Sequence, residues 1–191
     1  DVKGKFWETQ LEEIYVKNGA QCSFALKLAF EKVAHSAFGA PEYVWVTISL
    51  ASAKNVAKTN GVSNDKLSID VSIGMYNKTR TRLPESMFVR FEPFGRLNGD
   101  NGGDIEWEAC RLGQWIGTRD IVDGGSKHLY GVTDNGTRAT NLKTNSIMSV
   151  SSLDSPVTTF GFDTAYPSST HKDPNVNSFG TSFVLWDNLW G

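Results

Sequence analysis

The side chains best suited to metal binding or catalysis are the histidines and cysteines, and their spacing limits what they could do. The three histidines, His35, His128 and His171, are scattered over 191 residues, and none forms an H-x-H or H-x-x-x-H pair. The two cysteines, Cys22 and Cys110, lie at no spacing typical of zinc ligands. We therefore expect no metal site and no cofactor site made by this chain alone.

The cysteines allow two interpretations. Cys22 and Cys110 are either two small buried hydrophobic residues or the ends of one long-range disulfide, which would require an oxidising compartment. Two sequons, N-K-T beginning at Asn77 and N-G-T beginning at Asn135, are candidate glycosylation sites. Together these features favour a secreted or extracellular protein.

One carboxylate run could support acid-base chemistry or bind calcium. Asp104, Glu106 and Glu108 alternate along the chain and would share one face of a strand. Retaining glycoside hydrolysis needs two carboxyl groups about 5–5.5 Å apart across a cleft. We favour a solvated strand face flanking Trp107 instead, and we expect no catalytic residue in this chain. The stretch VDGGSKHLYGV matches no phosphate-loop fingerprint and is expected to be a Gly-Gly turn.

The aromatic residues are a third candidate source of function. Six Trp and eleven Phe could line a carbohydrate platform, although most of them are expected in the core. The last ten residues, SFVLWDNLWG, are unusually apolar for a chain end. We interpret them as an inner strand, with Trp186 and Trp190 packed in the core or against a partner.

Composition excludes two classes of protein. The net charge is −2 with 21% charged residues and no basic cluster, so we expect no nucleic-acid partner. No apolar run approaches the roughly 20 residues of a membrane-spanning helix, so we expect no membrane span. The sequence begins at Asp1 with no signal-like apolar region after it, which favours a mature chain, a trimmed chain or a fragment.

The elements that must position these residues are strands. YVWVTISLASA, KLSIDVSIGMY and MFVRFEPF alternate apolar with polar or aromatic side chains, which indicates strands with one buried face. We predict that five of their side chains point inward: Ile69, Val71, Ile73, Val89 and Phe91. Turn signals such as Asn-Gly and Gly-Gly separate the apolar segments.

A single stretch, QLEEIYVKNGAQCSFALKLAFEKV, permits a helix, and its second half alternates like a strand. We interpret that second half as a strand. The sequence therefore predicts an all-β fold, a two-sheet antiparallel β-sandwich. We expect residues 1–191 to form a single domain, as a fragment or one domain of a longer polypeptide.

Four sequence blocks, in order, carry a family resemblance. They are NKTRTRLPESMFVRFEP, WEACRLGQWIGTRDIVDGGSKHLYGV, SSLDSPVTTFG and FVLWDNLWG, and they cover the chain from about residue 77 to residue 191. In this order they resemble the C-terminal β-domain of secreted proteins related to glycoside hydrolase family 38, the α-mannosidase-like enzymes. At position 187 this chain has Asp where the relatives tend to have Asn.

The resemblance implies where catalysis would take place. In the family, the zinc ligands and the nucleophilic Asp belong to an N-terminal domain, so zinc is expected only in a catalytic domain absent from this chain. His128, Asp187 and Trp186 are then candidates for contacts with carbohydrate held by that other domain.

The first functional hypothesis is a C-terminal β-domain that supports carbohydrate binding or hydrolysis by such an enzyme. The alternative is a non-catalytic carbohydrate-binding or structural subunit of an extracellular assembly. The expected partners are carbohydrate and either the remainder of a longer polypeptide or identical subunits.

Overall fold

The protein is described from a computed structural model, which covers residues 5–18, 22–51, 67–92, 105–117, 131–160 and 180–188. The chain divides into two compact units, unit 1 (Asp1–Leu83) and unit 2 (Pro84–Gly191). Each unit has its own sheets and is described by itself. A single domain spanning residues 1–191 stays a prediction.

Unit 1 is a four-stranded antiparallel meander with one short helix. Its strands are β1 (Gln10–Lys17), β2 (Ser23–Ala29), β3 (Tyr43–Ala51) and β4 (Ser68–Tyr76), in the spatial order β1-β2-β3-β4. The alternating stretches of the sequence become β3 and β4, and the expected strand in the ambiguous stretch becomes β2. These strand predictions are confirmed.

Helix α1 (Lys32–Phe38) connects β2 to β3. It ends at Gly39, whose φ of 75° lets the chain turn back in the left-handed conformation, and the N–H of Ala40 bonds to the carbonyl of Ala34. Helix α1 has seven residues, and none of the helices in the described part of the chain is long and apolar enough to cross a bilayer.

Strand β1 occupies the first half of the stretch that permitted a helix. A β-bulge lies between Leu11 and Glu13, so that Glu12 is an extra residue against the partner strand. The bulge places Leu11 and Ile14 on the same face at a spacing of three, which resembles helical periodicity in the sequence. This irregularity is the physical reason that the period-2 pattern of β1 was not visible.

One sheet face of unit 1 differs from the prediction. Ile69 and Val71 were expected to point inward, but they are 50% and 39% exposed. Ile73 is half-buried. The prediction was wrong for Ile69 and Val71 because alternation reveals which side chains share a face, not whether a second layer covers that face.

Unit 2 contains two four-stranded sheets. One has the order β10-β9-β6-β7, from β6 (Ile105–Arg111), β7 (Gln114–Gly117), β9 (Thr137–Asn141) and β10 (Ile147–Val150). The other has the order β5-β12-β11-β8, from β5 (Glu85–Phe91), β8 (Gly131–Val132), β11 (Val157–Phe160) and β12 (Thr181–Asn188). All pairings between these strands are antiparallel.

The core of unit 2 joins its two sheets. Trp107 on β6 and Phe160 on β11 are buried, and their ring centroids lie 5.8 Å apart. Ala109 and Ala139 complete the cluster, with fully buried side chains. Val89 and Phe91 are half-buried, and Phe91 meets buried Phe183 edge to face at 5.9 Å. The predicted all-β, sandwich-like antiparallel fold is confirmed, with three sheets in the described residues rather than two.

Candidate functional site

The strand register of unit 1 gathers aromatic side chains on one face of the sheet, which we call the aromatic face. Tyr43 pairs with Tyr76, and Trp45 pairs with Lys27 of β2 and Gly74 of β4. Tyr15 pairs with Ala25, which shares a face with Lys27. The aromatic face consists of Gln10, Glu13, Tyr15, Lys17, Ser23, Ala25, Lys27, Ala29, Tyr43, Trp45, Thr47, Ser49, Asp70, Ser72, Gly74 and Tyr76.

The four rings form two neighbouring pairs. Tyr15 and Trp45 lie 5.7 Å apart between centroids with a tilt of 40°, across the small side chain of Ala25. Tyr43 and Tyr76 stack at 5.2 Å with an interplanar angle of 13°. Tyr15 is 52% exposed and Tyr76 46% exposed, so both pairs present ring surface to solvent.

Small residues leave room for these rings. A side chain at Gly74 would meet the Tyr76 ring, because a Cβ there would lie 3.0 Å from that ring. The ring of Tyr76 therefore lies over Gly74, the cross-strand neighbour of Trp45. Because Gly74 has no side chain, the ring of Tyr76 on β4 can approach the middle of the sheet.

A charged cluster lies beside the rings. The Lys27 ammonium contacts a carboxylate oxygen of Glu12 at 3.0 Å and one of Glu13 at 3.0 Å. The bulge in β1 allows two consecutive carboxylates to reach one lysine, which regular alternation would prevent. Lys27 Nζ also lies 5.8 Å from the ring centroid of Tyr43, within range of a cation–π interaction.

A hydrogen bond connects the rings to the charges. The Tyr15 hydroxyl donates to a carboxylate oxygen of Glu13. This bond, followed by the bond and charge of Lys27, lowers the pKa of Glu13, and the same carboxylate raises the pKa of the Tyr15 hydroxyl. Hydrogen bonds to Glu13 and Glu12 raise the pKa of Lys27. At neutral pH Glu13 is ionised, Lys27 is charged and Tyr15 keeps its proton.

The three predicted carbohydrate contacts are not part of this face. Trp186 belongs to β12 in unit 2, is 45% exposed and donates its indole N–H to Glu85 at 3.2 Å. Asp187 pairs with Ser86 in the backbone ladder, but its side chain lies outside the described residues. His128 also lies outside the described residues. Their role as carbohydrate contacts stays a prediction.

The predicted acidic run has a different environment. Asp104 lies outside the described residues. Glu108 accepts two hydrogen bonds from Arg138 on the neighbouring strand, one of them 2.9 Å long. Arg138 also lies 4.4 Å from the ring centroid of Trp115. The hydrogen bonds to this carboxylate raise the pKa of Arg138, and the ion pair ties β6 to β9.

The described cysteine and histidine side chains lie apart from the aromatic face. Cys22 is half-buried, Cys110 is buried, and both thiols are free in this structure. Their disulfide stays a prediction. His35 Nδ1 lies 2.7 Å from the carbonyl oxygen of Ala40, and His171 lies outside the described residues. Within the described ranges, no three His, Cys, Asp or Glu side chains form a group that could hold a metal ion.

The two sequons occupy different environments. Asn77 is exposed, has a φ of 53° and donates to Glu42 at 2.7 Å. Asn135 is also exposed and donates to the Cys110 sulfur at 3.7 Å. However, Thr137 of the same sequon is fully buried, whereas Thr79 of the first sequon is exposed. Glycosylation of Asn77 and Asn135 stays a prediction. The first sequon is the more accessible of the two to a glycosyltransferase.

The role of the four aromatic residues of unit 1 was not predicted from the sequence. In YVWV, Tyr43 and Trp45 alternate with Val44 and Val46, so aromatic and aliphatic side chains lie on opposite faces of β3. This alternation was the available signal. It could not reveal the partners of these two rings on β1 and β4, because cross-strand register is not visible in one sequence.

Comparison of the chain with protein-family models, with curated proteins and with solved structures finds no match.

Proposed function

We propose that this chain is a carbohydrate-binding β-domain, and that it belongs to an α-mannosidase-like glycoside hydrolase with its zinc and catalytic residues in another domain. The aromatic face is the observation that carries the binding proposal. The sequence resemblance of residues 77–191 supports the enzyme family. The two sequons support a secreted or extracellular location.

Aromatic rings on an open sheet face suit sugars because the C–H groups of a pyranose form an apolar surface. Such a surface packs against an exposed ring, while the sugar hydroxyls reach polar groups at its edge. Tyr43 and Trp45 lie two residues apart on one strand, about 6.6 Å along it at about 3.3 Å per residue. Rings spread over this distance favour a ligand longer than one sugar unit.

The charges favour a neutral ligand. Lys27 is already balanced by Glu12 and Glu13, and the rest of the face adds one lysine, Lys17, and one carboxylate, Asp70. The face therefore carries no excess of cations for a sulfate or uronate group. The carboxylates can accept hydrogen bonds from sugar hydroxyls, and the Lys27 ammonium can donate a hydrogen bond to a sugar hydroxyl oxygen. A neutral polysaccharide is therefore the proposed ligand class.

The protonation states favour binding over hydrolysis at this face. A general acid must carry a proton near the working pH, which requires a raised pKa. The Tyr15 hydroxyl and Lys27 lower the pKa of Glu13 instead. Glu13 acts in this proposal as a hydrogen-bond acceptor for the ligand.

The test is binding of soluble α-mannan by the full chain, measured by isothermal titration calorimetry, with sodium polygalacturonate as the acidic comparison. Tyr15→Ala removes a half-exposed ring, and we expect at least tenfold weaker binding of mannan. Tyr15→Phe keeps the ring and should lose less. Trp186→Ala removes an exposed ring from unit 2 and tests the predicted carbohydrate contact at that residue.

Two results would refute this assignment. Tight binding of polygalacturonate without binding of any neutral polysaccharide would refute the ligand class. Mannan binding that survives Tyr15→Ala and is lost in Trp186→Ala would move the site to β12, where Trp186 and Asp187 lie.

A further inference from the structure

The face of the unit 1 sheet opposite the aromatic face carries only apolar side chains. We call it the apolar face. In β3, Val44 pairs with Leu28 and Met75, and Ile48 pairs with Phe24 and Val71. The apolar face consists of Leu11, Ile14, Val16, Phe24, Leu26, Leu28, Val44, Val46, Ile48, Leu50, Ile69, Val71, Ile73 and Met75.

The two edge strands of this face are largely exposed, whereas the two inner strands are half-buried and Val44 is buried. On the edge strands, Ile14 is 56%, Val16 54% and Ile69 50% exposed. Sheets with one apolar face bury that face against a second layer. Contiguous exposed apolar patches beyond a few hundred Å² mark interaction sites in soluble proteins.

The dimensions match those of a stable protein interface. Four strands about 4.8 Å apart and about eight residues long make a face of about 500 Å² in projection. Two such faces packed together would bury at least about 1,000 Å², the size that a biological interface is expected to reach.

We infer that the apolar face is the interface of a symmetric homodimer, in which the unit 1 sheets of two copies of this chain pack face to face as a sandwich. The face is complementary to itself, because it is apolar across all four strands and holds no titratable side chain. A two-fold axis then brings the same patch from both copies together. Two sheets packed in this way lie about 10 Å apart.

The charged groups of unit 1 are compatible with this arrangement. Glu13 and Lys27 project from the opposite face, so dimerisation would not desolvate this ion pair. Both aromatic faces would point away from the interface and remain open. The inference does not depend on carbohydrate binding, since it rests only on the apolar face.

The test is sedimentation velocity of the full 21.0 kDa chain at concentrations from about 0.5 to about 50 µM. Over this range a dimer with a micromolar Kd dissociates on dilution, whereas one with a nanomolar Kd does not. We expect a species of twice the chain mass. Val71→Lys, in the edge strand β4, places two like charges in the symmetric interface. We expect it to weaken the dimer at least 100-fold, and the double variant Ile14→Lys/Val71→Lys to be monomeric.

The matched control is Ser72→Lys, one residue further along the same strand and on the opposite face. It should remain dimeric. Because Ile14 and Val71 are exposed in the single chain, the lysine variants should keep the wild-type far-UV circular dichroism spectrum. That spectrum separates a broken interface from a chain that fails to fold.

Each other outcome overturns the inference. A wild-type chain that stays monomeric at 50 µM refutes the homodimer, and co-sedimentation of that monomer with phosphatidylcholine vesicles would assign the face to lipid instead. A dimer weakened equally by Ser72→Lys and Val71→Lys would indicate pairing of edge strands. A dimer insensitive to both would place the interface elsewhere.

Discussion

Replacing Gly136 by alanine adds one methyl group where the chain leaves no room for it. Gly136 precedes β9 and has a φ of 78°, in the left-handed region that disfavours side chains. A Cβ there would lie 2.0 Å from the carbonyl oxygen of Val150 and 2.8 Å from the Cα of Ser151. Both neighbours are backbone atoms at the end of β10, so no side chain can rotate away.

The expected loss of stability has two parts. A left-handed non-glycine residue costs about 1 kcal/mol. Forcing an extra methyl group into a filled space costs about 1–3 kcal/mol more. We therefore expect Gly136→Ala to lower the free energy of unfolding by about 2–4 kcal/mol, which corresponds to a fall in Tm of about 10–25 °C for a domain of about 100 residues.

Gly113→Ala provides the matched control. Gly113 has nearly the same φ, 77°, but a Cβ there would meet no atom within 4 Å. It should lose only the conformational part, about 1 kcal/mol. Urea unfolding followed by tryptophan fluorescence, to which buried Trp107 contributes, measures both variants. Equal losses at the two positions would refute the steric argument.

Three further results are expected. In an NMR titration, the carboxyl group of Glu13 should titrate below its ordinary value of about 4.5, and Tyr15→Phe should raise that midpoint by removing a hydrogen bond. Because folding lowers the pKa of Glu13, the ionised carboxylate stabilises the fold above about pH 4.5, and this stabilisation is lost as the pH falls through the lowered pKa. An unchanged titration midpoint in Tyr15→Phe would contradict the hydrogen bond between Tyr15 and Glu13. Arg138→Met should destabilise the chain by about 1–3 kcal/mol in urea because it leaves the half-buried Glu108 carboxylate unpaired, and adding Glu108→Gln should restore part of that loss. In material secreted from eukaryotic cells, peptide mass spectrometry should find higher glycan occupancy at Asn77 than at the second sequon, because Thr137 of the second sequon is buried; the opposite ranking would contradict this reason.

Alternation in the sequence was enough to predict most strands of unit 1 and the strand that begins at Glu85. It failed where the period was interrupted, because the bulge in β1 shifts the phase by one residue. It also could not distinguish a buried face from an exposed one, as Ile69 shows. Burial depends on what lies opposite, and a single strand carries no information about that.

The candidate site was less predictable than the fold. The sequence pointed to His128, Asp187 and Trp186 through family resemblance, whereas the aromatic face depends on which strands are neighbours and in what register. Tyr15 and Tyr76 are separated by most of unit 1 in the chain, yet they lie on one face of the sheet. Physical proximity of this kind is created by hydrogen bonding between strands.

The bulge in β1 also bears on how the unit could change in evolution. Removing one residue from a regular strand turns every later side chain to the other face, and the sheet loses both of its surfaces. Deleting Glu12 would instead leave Leu11, Glu13 and Ile14 in uninterrupted alternation, with Tyr15 still on its present face. Strand β1 therefore contains a position where a single-codon deletion preserves the pattern, and homologous chains that differ in length by one residue here would keep the same two faces.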